Sequence, residues 1–97
     1  MSAYVIMIRE RINDPDSMAA YSKLAQLART EGPPTPLAFY GPKETWEGPE
    51  ADGIVILQFA DMAAARQWYN SPAYQAALPH RLRGADYRVL LVDGVSI

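Results

Sequence analysis

The chain contains no cysteine, which excludes disulfides, thiolate metal sites and a cysteine nucleophile. Its one histidine, His80, is too few for a histidine-rich metal cage, and no metal site or cofactor is expected. Long apolar runs are also missing, so no stretch approaches the length of a membrane span. The opening MSAYVIMIRER has too short an apolar stretch for a signal peptide and lacks a basic start, which makes the cytoplasm the expected compartment. Positive charge is in short supply too. The net charge is −2 and no basic stripe is interleaved with aromatics, so neither nucleic acid nor a membrane surface is an expected partner.

What the chain does have is apolar residues, 49% of its 97 positions, against 21% charged. That balance is ordinary for a globular chain and gives one domain over residues 1–97, with no room for a second core. AYVIMIR, residues 3–9, reads as a strand. Asp14 is a good N-cap, and Pro15 sits where a helix tolerates a missing N–H. Met18, Tyr21, Leu24, Ala25 and Ala28 follow at helical spacing, and Gly32 offers the stop. PPTP is a stiff loop. LAFY and ETWEG look like an irregular strand or hairpin arm, and IVILQF, residues 54–59, is the clearest strand. Asp61 caps a second helix, which restarts with a bend at Ser71-Pro72. Tyr74, Ala77, Leu78, Arg81 and Leu82 continue one face, and Pro79 should kink or break the run. YRVLLVD, residues 87–93, is the last strand.

The order β-α-β-β-α-β is the split pattern of an α+β, ferredoxin-like domain: a four-stranded antiparallel sheet with two helices on one face. Counting faces adds a partner. Tyr4, Ile6 and Ile8 point one way and Val5 and Met7 the other. Ile54 and Ile56 oppose Val55, Leu57 and Phe59, while Leu90 and Val92 oppose Tyr87, Val89 and Leu91. A half-bare antiparallel sheet alternates apolar with polar. This one is apolar on both sides, so a second copy is expected to cover the face that the helices leave bare, making a homodimer through the sheet.

The stretch MAAARQWYNSPAYQAALPHRLRGADYRVLLVDG, residues 62–94, and the opening AYVIMIRERINDPDSMAAY, residues 3–21, resemble the bacterial family known as domain of unknown function 1330. The WYNSPAYQ core, residues 68–75, is the most specific part. The resemblance implies the dimeric α/β-barrel superfamily, in which two ferredoxin-like sheets pack face to face. It also implies relatives that bind ligands between helices and sheet, among them cofactor-independent monooxygenases, muconolactone isomerase-like enzymes and haem-degrading enzymes. Two departures stand out. EGPPTPLAFYGPKE replaces a glycine-rich step, and Gln58 stands where many relatives carry a carboxylate. The family has no assigned reaction.

The candidate site residues each have two readings. Tyr21, Trp68, Tyr69 and Tyr74 are either core packing or the lining of a small ligand cavity between helices and sheet. Ser71 is a cap, because no base adjoins it as a nucleophile would need. His80 is a general base or a solvated side chain. Arg81 anchors a ligand carboxylate or phosphate, or the basic C-terminal third, with Arg66, Arg81, Arg83 and Arg88, pairs with the carboxylates between Glu44 and Asp52. The expected function is a small homodimer binding an apolar or acidic molecule between helices and sheet. One alternative is a cofactor-independent monooxygenase or isomerase using His80, Arg81 and the tyrosines. The other is a structural or regulatory dimer without catalysis.

Overall fold

The computed structural model describes residues 2–29 and 34–95, so the expected helix stop at Gly32 lies outside the described residues. The elements run β1 (Ala3–Ile12), α1 (Pro15–Leu27), β2 (Thr35–Phe39), β3 (Gly53–Phe59), α2 (Met62–Tyr69), α3 (Pro72–Gly84) and β4 (Ala85–Asp93). The strands form one antiparallel sheet in the order β2-β3-β1-β4. Register slips interrupt β2 between Pro36 and Ala38 and β1 between Arg9 and Arg11.

Two parts of the expected architecture are corrected. Among the described residues there are three helices rather than two, in the order β-α-β-β-α-α-β. Pro72 is the reason: its ring disfavours helical geometry at the residue before it. Ser71 accordingly sits extended at φ −63° and ψ 148°. The sheet is also open and uncurled, not a closed barrel. Four strands are too few to close on themselves, and β2 and β4 are free edges.

Several local expectations change as well. Helix α3 runs unbroken through Pro79. Pro79 and Gln75 both lie exposed, so water can reach the Gln75 carbonyl that a residue-79 N–H would otherwise bond. Leu82, placed on the inner face, is 65% exposed, and the buried stripe of α3 is Tyr74, Ala77, Arg81 and Gly84. ETWEG is not a strand but part of the exposed loop joining β2 to β3. Within one chain, the acidic loop does not pair with the C-terminal arginines among the described residues either. Asp52 bonds Arg9 at 2.6 Å, Glu50 approaches Lys43 at 3.9 Å, and the remaining ion pair among the described residues is Arg11–Asp86 at 2.7 Å.

The helix caps follow sequence closely. Asp14 accepts from the Asp16 N–H at 3.1 Å, and Asp61 from the Ala64 N–H at 2.7 Å. The Ser71 Oγ accepts from the Tyr74 N–H at 3.2 Å and donates to the Trp68 carbonyl at 2.7 Å, tying the end of α2 to the start of α3. Ser71→Ala is expected to cost about 1 kcal/mol, read as a lowered midpoint in urea, with ligand binding nearly unchanged. Helices α1 and α3 lie side by side. Gly84 allows the close approach, since a Cβ there would meet Met18 Cγ at 2.8 Å.

The core forms where the helices meet one sheet face. Ala3, Val5 and Met7 stand opposite Phe59, Leu57 and Val55, and all six are buried. On the other face, Tyr4, Ile6 and Ile8 stand opposite Gln58, Ile56 and Ile54. Leu90 and Val92 extend this apolar surface across β4 at 42% and 46% exposure.

Candidate functional site

Between α1, α2 and the sheet lies a cavity of about 230 Å³. Its floor is apolar: Met7, Val55 and Leu57 from the sheet, with Ala25 from α1. Aromatic walls come from Tyr21, Trp68, Phe39 and Tyr40. The rim is polar: Ser22 and Gln26 fall on one side of α1 next to its buried stripe, and Arg29 follows in the turn just after the helix. An inner stripe and a polar stripe on the same helix thus give the cavity a greasy bottom and a wet mouth.

Tyr40 is held in an unusual way. Its φ is 54°, in the left-handed region that non-glycine residues seldom occupy. Three neighbours fix it there. The Arg9 guanidinium lies 4.4 Å from the ring centroid, and the Tyr40 and Tyr87 hydroxyls share a hydrogen bond. Gly53 lies across from the ring, where a Cβ would sit 2.6 Å from Tyr40 Cδ1. Backbone strain of this kind collects at functional sites and persists only when the surroundings enforce it.

Behind the cavity wall, the tyrosines form a buried network. The Tyr21 and Tyr74 hydroxyls are 2.9 Å apart, and their rings meet edge to face at 6.2 Å. The Trp68 ring stacks at a tilt 4.3 Å from Tyr74 and 5.4 Å from Phe59. Burial pushes the Tyr21 phenol far above its ordinary pKa, and nearby Tyr74 adds to the effect. Burial does the same at Tyr40, reinforced by its bond to Tyr87. Tyr74 is also raised by burial, although the Tyr21 hydroxyl and the Arg81 guanidinium pull the other way. All three therefore stay protonated at neutral pH. They are hydrogen-bonding hydroxyls, not bases.

Of the residues singled out from sequence, the structure brings Tyr21 and Trp68 to the cavity. Tyr74 is fully buried behind them, and Tyr69 packs 5.4 Å from the Tyr74 ring, half-buried. Arg81 is 4% exposed, its guanidinium 5.1 Å from the Tyr87 ring centroid, and its Nε has no hydrogen-bond partner. No carboxylate pairs with it among the described residues. His80 lies on the outer side of α3, where Arg83 Nη2 is 3.0 Å from its Nδ1. Gln58 is on the sheet face away from the cavity, donating to the Ser2 hydroxyl at 2.9 Å. A carboxylate at that position would not reach this space. Sequence reasoning passed over Arg29 and Tyr40. The polar 22-26-29 stripe beside the 21-25-28 stripe was the available signal for the first; a left-handed tyrosine has none. Among the described residues, no group of three or more histidine or carboxylate side chains could hold a metal ion, and no helix is long and apolar enough to cross a membrane.

Comparison with known proteins places this geometry. A family model, domain of unknown function DUF1330, matches residues 2–95. No curated protein matches the chain. A solved protein of unknown function from Rhodopseudomonas palustris is similar at 18% identity, over 99% of this chain and 84% of that one, with a TM-score of 0.73. A dimeric ferredoxin-like protein of unknown function from Thermobifida fusca is 20% identical over 96% and 91%, with a TM-score of 0.64. SnoaB, a cofactor-independent oxygenase from Streptomyces nogalater, is 10% identical over 99% and 94%, with a TM-score of 0.60. At these identities the likeness is one of fold.

Proposed function

The chain belongs to the DUF1330 family, and on that premise we propose that it is a homodimer that binds a small molecule with an apolar body in the cavity between helices and sheet. The observation that carries the binding role is the cavity itself, apolar at the bottom, aromatic at the sides and open past a polar rim. This is the ordinary composition of a ligand site. At about 230 Å³ it is smaller than the ~300–1,000 Å³ pockets that take drug-sized molecules, so the ligand is small. The dimer rests on the bare apolar face around Ile6, Ile56, Leu90 and Val92, a kind of surface that monomers seldom leave in water. Similar proteins from Thermobifida fusca and Bacteroides fragilis are described as dimeric.

The fold is shared with a cofactor-independent oxygenase, but the cavity argues for binding over proton abstraction. Its tyrosines are held protonated, and His80 stands elsewhere. The test uses Trp68 as reporter in a Trp46→Phe background, which removes the 87% exposed indole. Benzyl alcohol, a neutral probe small enough for the space, is expected to change Trp68 emission saturably. Ala25→Leu, which fills the cavity from α1, should abolish the change without loss of stability. An unsaturable response, or one untouched by Ala25→Leu, overturns the reading.

A further inference from the structure

Among the described residues that line the cavity, the charged one is an arginine. Arg29 stands at its rim, with its guanidinium 5.2 Å from the Phe39 ring centroid. Arg81 lies buried on the inner side, close enough to Tyr21 and Tyr74 that its charge bears on both phenols. Among the described residues, neither arginine has a carboxylate partner and no Asp or Glu lines the cavity. A buried guanidinium with an unpartnered Nε is costly, because desolvation is not repaid by an opposite charge. Within the fold its charge meets only the C-terminal end of α3, the face of the Tyr87 ring and the Tyr74 hydroxyl, none of them an opposite full charge. A cleft lined by one sign of charge between low-dielectric walls concentrates its field on whatever enters.

We propose that the ligand is an organic carboxylate, its apolar body against Met7, Val55 and Leu57 and its anionic head towards Arg29. The inference rests on the binding role above and narrows it to a chemical class. Gln26 and Ser22, about one and two turns before Arg29, supply amide and hydroxyl groups along the same rim. Arg29 offers the planar, two-pronged donor set that suits a carboxylate better than a point charge would. Arg81 acts through the field and does not touch the ligand. It is a positioning charge, biasing the cavity towards anions from behind the Tyr21–Tyr74 pair.

The experiment titrates the Trp46→Phe protein with phenylacetate and, separately, with phenylacetamide, the uncharged isostere. The acid is expected to bind at least tenfold more tightly, with the preference shrinking as salt is added. Arg29→Gln should remove the preference, weakening the acid at least tenfold and the amide far less. Arg81→Met, which keeps an apolar stem and deletes the buried charge, should reduce the preference in part. Equal affinities for acid and amide overturn the carboxylate assignment and leave the binding role standing. So does an acid preference that survives Arg29→Gln. Failure of both probes to reach Trp68 overturns the binding role and the assignment together.

Discussion

Ile56→Lys is expected to convert the protein from a species of twice its 10.8 kDa chain mass into a monomer, as measured by light scattering at micromolar concentration. Ile56 sits in the middle of the bare sheet face, paired with Ile6 on β1 and with Ala38 on β2. A symmetric interface brings each substituted residue to the same patch on the partner. A lysine left uncompensated there costs about 3–5 kcal/mol, or more than a hundredfold in dimer affinity. Because Ile56 is only half-buried within one chain, the substitution should spare the fold, and far-UV circular dichroism should be unchanged. If the wild-type protein itself scatters as a 10.8 kDa particle, the homodimer proposal fails.

Tyr74→Ala should produce the largest loss of stability. Its side chain is fully buried and is the hub of the aromatic cluster, touching Tyr21, Trp68 and Tyr69. Truncating a buried aromatic to alanine costs about 3–5 kcal/mol. For a chain of this size that is a fall of at least about 12 °C in Tm. Tyr74→Phe keeps the ring and removes the hydroxyl that meets Tyr21 and Arg81, so the loss should be about 1–3 kcal/mol. Two thermal melts separate these contributions. Equal losses in both variants would mean that the hydroxyl, not the packing, holds the cluster together.

These residues also show what a sequence discloses and what it withholds. Strand faces were legible because a strand alternates with period two, so Val5 and Met7 could be separated from Tyr4, Ile6 and Ile8, and Val55 and Leu57 from Ile54 and Ile56, by counting; with both sets apolar, only the fold shows that the first of each lies under the helices. Caps were legible because Asp14, Asp61 and Ser71 bond within three residues of themselves. The separation of α2 from α3 was visible as a bend but not as two helices, since the pattern continues across Asn70 while the backbone does not. The cavity was harder. Tyr21 and Trp68 belong to different helices and meet only in the folded chain, and Tyr40 depends on Arg9, Gly53 and Tyr87, which come from three other strands. Arg81 was seen as inward-facing from its spacing, but that it would lack any carboxylate is a fact of three dimensions.

An open sheet has two margins, and each is a row of backbone donors and acceptors on which a foreign strand can crystallise. Here both are spoiled. β2 is five residues long, Pro36 offers no N–H, and the register slips beside it. β4 carries Asp86, Arg88 and Asp93 along the other margin, charges that discourage end-to-end growth. Growth along a margin would have no natural stopping point, since every added copy exposes a fresh one. A face can be used only once. In the proposed homodimer, blunted margins and a sticky face let two copies pair and stop, which keeps an apolar sheet from seeding fibrils.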